Sequence, residues 1–334
     1  MIDYHENTMF LLGGMVEKKP GCKCKTEGTV VDTIYKFSEG VWSLLPTKLP
    51  KPRYGFQVVL GGDSIFIFTG DAGDGNPATT QIEIFNVKTL KIQIAEYRLP
   101  LGVSGCSMAW HGDDILLIGG NRCGSTSGSK EVMKLDFVEK NIISLRDLHQ
   151  DRVNAIVIPM EHDRILVVAG SKDGAKAEER YWEPELMDYV WRDFSKINGD
   201  LGEIFEKPSE YSHVMSTFCV TGSDSDRFPK LNTTSNFVFG NELSPWMMEF
   251  TNKMKVNFYP APMRLQQKTG QVAYRHSHNI MYFLGGTDVT YTFYSKKVFK
   301  FDFTEKAVTQ IGNLNIARAG FCTVKLKVSE IDLD

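Results

Sequence analysis

The stretch Asp113-Asp114-Ile115-Leu116-Leu117-Ile118-Gly119-Gly120 contains four consecutive aliphatic residues followed by two glycines. Similar runs recur along the chain, and they end at Gly14, Gly70, Gly120, Gly170, Gly222 and Gly286. The intervals between these glycines are 56, 50, 50, 52 and 64 residues. A period near fifty, marked by short apolar segments, predicts a repeat architecture in which each repeat is one supersecondary unit.

Each repeat has the pattern of four antiparallel strands. The aliphatic run is predicted to be the second strand. Alternation of apolar and polar residues, as in Ile82–Phe85, predicts a half-buried third strand. The fourth strand often carries a large aromatic residue such as Trp42, and Pro184 is expected to interrupt the third strand of the fourth repeat. We therefore predict one all-β domain over residues 1–334, with repeats at residues 8–50 plus 318–326, 53–100, 103–148, 152–196, 211–252 and 267–315.

The repeats also share motifs outside the aliphatic run. The first strand begins with Arg53-Tyr54-Gly55 in the second repeat and with Arg318-Ala319-Gly320 near the C-terminus, and Leu99-Pro100 ends the second repeat. Together with the double glycine and the tryptophan, this pattern resembles the kelch repeat. In the fourth and fifth repeats, Ala169-Gly170 and Thr221-Gly222 replace the double glycine. The resemblance implies a six-bladed kelch-type β-propeller with four antiparallel strands per blade.

The two ends of the chain complete one repeat. The N-terminal repeat begins directly with a second-strand run, Thr8–Leu12, and the missing first strand is found at Arg318–Lys325. The resemblance implies that this C-terminal strand closes the first blade, which would pair the open edges of the first and last repeats.

Composition argues against several classes of protein. The formal net charge is -3, so there is no general basic field for nucleic acid. No apolar run approaches the roughly 20 residues of a membrane-spanning helix, and Met1–Glu6 lacks the basic start of a secretory signal. The six cysteines form no pair of CxxC motifs and suggest no disulfide framework. We therefore predict a cytoplasmic protein with no membrane or nucleic-acid partner.

His276-Ser277-His278 has the spacing of a metal-binding pair, since alternate residues of a strand share one face. It lies, however, in the turn between the first two strands of the sixth repeat. The equivalent turns of the third and fourth repeats are His111–Asp114 and Glu161–Arg164, so polar residues there are typical of turns. No nucleophile-elbow motif is visible either. We predict no metal, no cofactor and no catalytic residue.

The candidate binding residues are arginines. Arg53, Arg152 and Arg318 each open a first strand, and Arg122 follows the double glycine of the third repeat. The kelch resemblance implies that such arginines surround the mouth of a central channel, where guanidinium groups can bind carboxylates of an acidic or polar peptide. The alternative is that they cap strand ends, donate hydrogen bonds to neighbouring carbonyl groups or lie in solvent. The remaining repeats have Ser104, Ser212 and Thr269 at about this place, and the predicted partner-binding set is Arg53, Arg122, Arg152, Arg318, Tyr54 and Asn154.

Three hypotheses for function follow. The first is a non-enzymatic protein-interaction module, a substrate receptor, adaptor or scaffold, whose partner binds the inter-blade loops at the channel mouth. The second is a channel-site enzyme or carbohydrate-binding propeller, with a small-molecule ligand. The third is a structural subunit that uses the long segments 15–32, 195–210 and 252–267 in a larger assembly, because long loops on a rigid scaffold often carry binding.

Overall fold

All regular structure that the computed structural model describes is β-strand, and every strand pair is antiparallel, so the all-β prediction is confirmed. The structure describes residues 7–17, 28–38, 40–73, 78–111, 114–122, 128–136, 139–153, 155–159, 163–168, 170, 177–193, 217–218, 236–239, 246–250, 256–260, 272–277, 280–287, 294–302, 304–305 and 307–327. Within these ranges no helix is long and apolar enough to cross a membrane.

The strands are short. In the first half of the chain they are β1 Asn7–Leu12, β2 Met15–Glu17, β3 Gly28–Val30, β4 Thr33–Ser38, β5 Val41–Lys48, β6 Gln57–Gly61, β7 Ser64–Phe68, β8 Gln81–Asn86, β9 Lys91–Arg98, β10 Val103–Ser104, β11 Ser107–His111, β12 Asp114–Ile118, β13 Asn121–Arg122, β14 Val132–Asp136 and β15 Asn141–Ser144. In the second half they are β16 Ile156–Pro159, β17 Ile165–Val168, β18 Glu178–Glu183, β19 Asp188–Asp193, β20 Thr217–Phe218, β21 Asn236–Phe239, β22 Trp246–Phe250, β23 Val256–Pro260, β24 Val272–Ser277, β25 Ile280–Leu284, β26 Lys297–Asp302, β27 Ala307–Asn313, β28 Arg318–Ala319 and β29 Cys322–Lys327.

The strands form two compact units. The first comprises residues 1–98, 225–228 and 269–334, and its four-stranded sheets have the orders β29-β1-β4-β5, β6-β7-β8-β9 and β24-β25-β26-β27. The second comprises residues 99–224 and 229–268, and its four-stranded sheets are β11-β12-β14-β15, β16-β17-β18-β19 and β20-β21-β22-β23. We number these sheets one to six in the chain order of their second strands. The remaining described strands form two small sheets, β28-β2-β3 and β10-β13.

The aliphatic runs of sheets one to four are buried strands because both of their faces are covered. In the first unit, Phe10 of sheet one meets Phe85 of sheet two edge to face, with ring centroids 5.3 Å apart, within a core that includes Ile65 and Ile67. In the second unit, Leu116 of sheet three and Val167 of sheet four belong to one core. Such strands read as continuous apolar segments, because neither side faces water.

The two ends of the chain meet in sheet one. Strand β29 lies antiparallel to β1 along its whole length, from Asn7 opposite Lys327 to Leu12 opposite Cys322. The expected interruption by Pro184 is wrong: β18 ends at Glu183, and the proline lies in the turn that follows. A turn suits proline, because it has no backbone N–H to donate to a sheet.

Candidate functional site

Arg53 is a buried structural residue, with a side chain that is 1% exposed. Its guanidinium forms an ion pair with Glu83 of β8, which is also buried, and its Nη1 donates to the carbonyl oxygen of Thr69 at 3.1 Å. Burial lowers the pKa of Arg53 and raises the pKa of Glu83, while their mutual attraction opposes both changes. The arginine therefore joins two strands inside sheet two.

Arg152 has the same role in sheet four, where its side chain is 0% exposed. Its Nε and Nη2 donate to Glu178 Oε1 of β18 at 3.2 and 2.8 Å. The same carboxylate accepts the backbone N–H groups of His149 and Gln150 at 2.6 and 3.2 Å. Burial lowers the pKa of Arg152, opposed by the attraction of Glu178. A buried carboxylate with this many donors is well compensated for the loss of water.

Arg318 uses an aromatic ring in place of a carboxylate. It is 2% exposed, its Nη1 donates to the carbonyl oxygen of Gly13 at 3.1 Å, and its guanidinium carbon lies 4.8 Å from the ring centroid of Tyr35. Burial lowers the pKa of this arginine as well. A guanidinium over an aromatic face is a favourable cation–π contact.

The backbones of the three arginines connect neighbouring sheets in one repeated arrangement. The N–H groups of Gly14, Gly120 and Gly286 donate to the carbonyl oxygens of Arg53, Arg152 and Arg318, each at 2.8 Å. These glycines close the aliphatic run of the preceding sheet. At the preceding Gly119 the φ angle is +66°, and a Cβ would lie 2.6 Å from the carbonyl oxygen of Arg152. Glycine therefore permits the close approach that makes this connection, which we call the arginine clamp.

The partners of the arginines occupy one equivalent position. Glu83 lies opposite Ile67, Glu178 opposite Val167 and Tyr35 opposite Leu11, and each of these aliphatic residues lies three before the closing glycine. None of these three partners was predicted from the sequence. The available signal was a polar residue at an inward position of the third strand, in the repeats that begin with arginine.

Sheet three replaces this pair with apolar residues. Ser104 lies opposite Asn121, as Tyr54 lies opposite Asp71, and both opposite residues follow a closing glycine directly. The register therefore assigns the arginine position to Val103, so the expected position of Ser104 was one residue too late. Val103 is fully buried, and Met133 occupies the partner position opposite Leu117. Arginine and its partner are thus present together or absent together in these sheets.

The other predicted binding residues have different surroundings. The side chain of Arg122 is 53% exposed and forms an ion pair with Glu131, which is 34% exposed. Tyr54 is half-buried, and its backbone exchanges two hydrogen bonds of 3.0 Å with Asp71. Asn154 lies outside the described residues. Of the described members of the predicted set, Arg122 therefore has the accessible guanidinium. The partner-binding role of the set remains a prediction.

A second cluster connects sheets three and four. His111 of β11 has its Nε2 3.0 Å from Nη1 of Arg180, and both side chains contact the ring of Tyr189, at 4.8 and 4.2 Å. Since arginine only donates, Nε2 is the accepting nitrogen of a neutral imidazole. Burial and then the charge of Arg180 lower the pKa of His111, while Asp163 and Asp114 oppose this change.

The arginine clamps and the cluster of His111, Arg180 and Tyr189 are structural contacts. That the protein binds no metal remains a prediction. Among the described side chains, no group of three histidines, cysteines or carboxylates is placed to hold a metal ion. The expected turn at His276-Ser277-His278 is wrong for its first two residues, which end β24, and His278 lies outside the described residues. No protein-family model matches the sequence, and no curated protein matches it significantly.

Proposed function

We propose that the chain is a six-bladed kelch-type β-propeller that acts as a non-enzymatic scaffold for a protein partner. The observation that carries the proposal is the arginine clamp. It joins sheet one to sheet two, sheet three to sheet four and sheet six to sheet one through the same backbone hydrogen bond. A repeated connection between successive sheets is what a propeller requires, because each blade must meet the next in the same way.

The pairing of β1 with β29 supports the closure of the first blade by the C-terminal strand. In the proposed propeller the clamps give rigidity, and the loops that follow the closing glycines carry recognition. The three buried arginines support a scaffold role, because their guanidinium groups hold neighbouring strands together. Binding of an acidic or polar peptide would then begin at Arg122, whose guanidinium is accessible and which lies two residues after Gly120.

The test is quantitative affinity purification from cells with the wild-type protein and an Arg122→Glu variant. The control is Lys88→Glu, which also reverses an exposed cation in an ion pair, here with Asp63 at 2.9 Å. We expect one partner to be recovered with wild type and with Lys88→Glu, and at least tenfold less of it with Arg122→Glu. A wild-type protein that retains no protein partner would refute the scaffold role. A partner retained equally by all three proteins would refute the role of Arg122.

A further inference from the structure

The hairpin formed by β18 and β19 exposes a cluster of large apolar side chains. Trp182 is 43% exposed, Leu186 is 58% exposed and Met187 is 76% exposed. Eight large apolar residues are exposed among those that the structure describes, and these three fall within six positions of one another. Single exposed apolar residues are ordinary, whereas a cluster of them marks an interaction surface.

The cluster is held in a defined conformation. Leu186 N–H donates to the carbonyl oxygen of Glu183 at 3.2 Å, and Met187 N–H donates to that of Pro184 at 3.3 Å. Trp182 lies opposite Tyr189 in the sheet, and their rings meet edge to face with centroids 5.1 Å apart. Tyr189 is itself packed against Arg180 and His111 of the cluster described above. An aromatic anchor that is already ordered loses little conformational entropy on binding.

Equivalent turns of other sheets indicate that folding does not require these apolar side chains. Leu186 corresponds to Thr89 in sheet two, and Met187 corresponds to Leu90 in sheet two but to Lys140, with φ +51°, in sheet three. The turn between β8 and β9 ends in Leu90 with φ +57°, and the fourth-sheet turn ends in Met187 with φ +51°, so the two backbones share the left-handed residue. In the β8–β9 turn the exposed positions are Lys88 and Thr89, and both of their N–H groups donate to Asn86 Oδ1, at 3.1 and 2.8 Å. The fourth-sheet turn has Glu185 and Leu186 instead.

The apolar cluster has an acidic border. Glu183, Glu185 and Asp188 lie within the same hairpin, between and beside the exposed apolar residues. Arg146 pairs with Asp188 at 3.3 Å and offsets one of these three charges. The surface therefore combines apolar contact area with an excess of negative charge, which favours a partner of opposite charge.

We propose that Trp182–Asp188 is a docking surface for a partner segment that presents apolar side chains flanked by lysine or arginine. The inference rests on the proposed scaffold function and assigns it a second surface. Glu178, which binds Arg152, and Glu183 are the first and last residues of β18. At about 3.3 Å per residue, the docking surface lies roughly 17 Å along the strand from that clamp. The apolar residues supply contact area, and the carboxylates select a basic segment.

The experiment uses two labelled peptides: an amphipathic peptide of leucine and lysine, and the same peptide with glutamate in place of lysine. Binding to the full chain is measured by fluorescence anisotropy. The test variant combines Leu186→Thr, the residue type of the equivalent turn, with Met187→Asn, which tolerates the left-handed conformation. The control is Ile94→Thr, which changes a residue of β9 that is 48% exposed and is the one exposed large apolar residue of the β8–β9 hairpin, residues 81–98. Melting curves establish that all variants are folded.

We expect wild type and Ile94→Thr to bind the basic peptide equally, the double variant to bind it at least tenfold more weakly, and the acidic peptide not to bind. Equal binding by wild type and the double variant, absence of binding to wild type, or equal binding of both peptides would overturn the proposal. Sedimentation that detects a wild-type dimer lost in the double variant would instead assign the surface to a second copy. A partner that depends on Arg122 but not on Leu186 would leave the scaffold function intact and refute this surface alone.

Discussion

Replacing Arg53 with methionine should strand a buried carboxylate and make the stability of the protein depend on pH. In wild type Glu83 is 0% exposed, and its ion-pair partner is Arg53. Without the guanidinium, the carboxylate would bind a proton, because an unpaired charge is too costly to keep away from water. The ordinary pKa of this carboxyl is 4.5. Protonating it at pH 7 therefore costs about 3.4 kcal/mol, at about 1.36 kcal/mol per pH unit.

The destabilisation caused by Arg53→Met should therefore become smaller as the pH falls. We expect Arg53→Met to lower the free energy of unfolding by about 3–5 kcal/mol at pH 7, the usual cost of breaking a buried ion pair. The loss should shrink by about 2.7 kcal/mol at pH 5, because the unfolded carboxyl is then closer to its own pKa. The double variant Arg53→Met/Glu83→Met reproduces the apolar pairing of Val103 and Met133 and should recover most of the stability at both pH values.

Urea unfolding followed by tryptophan fluorescence measures these differences at pH 7 and pH 5. Arg122→Met is the matched control: it removes one partner of an exposed ion pair and should cost less than about 1 kcal/mol. Equal destabilisation of Arg53→Met at both pH values would contradict protonation of the stranded Glu83. A double variant that is no more stable than the single variant would also contradict it.

Three further outcomes are expected. Tyr35→Glu places a carboxylate beside the buried Arg318 and should change the free energy of unfolding in urea by less than about 1 kcal/mol. Met133→Glu places the same carboxylate in a sheet without this arginine and should lower that free energy by at least about 3 kcal/mol. Deleting residues 316–334 removes β29 from β1 and should yield an aggregating protein in size-exclusion chromatography, because a buried strand edge becomes free. Burial, and then the charge of Arg180, lower the pKa of His111 from its ordinary value in the folded state, so the unfolded state binds more protons as the pH falls. Lowering the pH from 7 to 5.5 should therefore destabilise wild type more than His111→Gln in thermal unfolding.

Local patterns were sufficient to predict the main strands, but β2 and β3 lie in the segment 15–32 and β23 lies in the segment 252–267, both of which were predicted as long loops. The runs that end at Gly14 and Gly120 are β1 and β12, because four aliphatic residues before a glycine pair fit a strand with both faces covered. The pattern around Pro184 misled, since a proline is compatible with a strand that ends just before it. The strand begins one residue after Ala177 and reaches Glu183 without interruption.

The environment of the arginines could not be predicted in the same way. The equivalence of Arg53, Arg152 and Arg318 was visible as a repeated motif, but their burial depends on residues 30 positions away in the case of Glu83. The exposure of Arg122, by contrast, accompanies its position at the end of the short strand β13, in a two-stranded sheet with β10. A motif identifies which positions correspond, and it does not specify what surrounds them.

The amino-acid sequence by itself determined that this protein is all-β and where its main strands lie, because strand formation follows from apolar patterning over five or six neighbouring residues. Only the tertiary structure decided what the arginines do. The free energy of a charge depends on its exposure to water and on the distance to its partner, and sheet pairing sets both. That pairing brings Arg53 to Glu83, Arg152 to Glu178 and Arg318 to Tyr35.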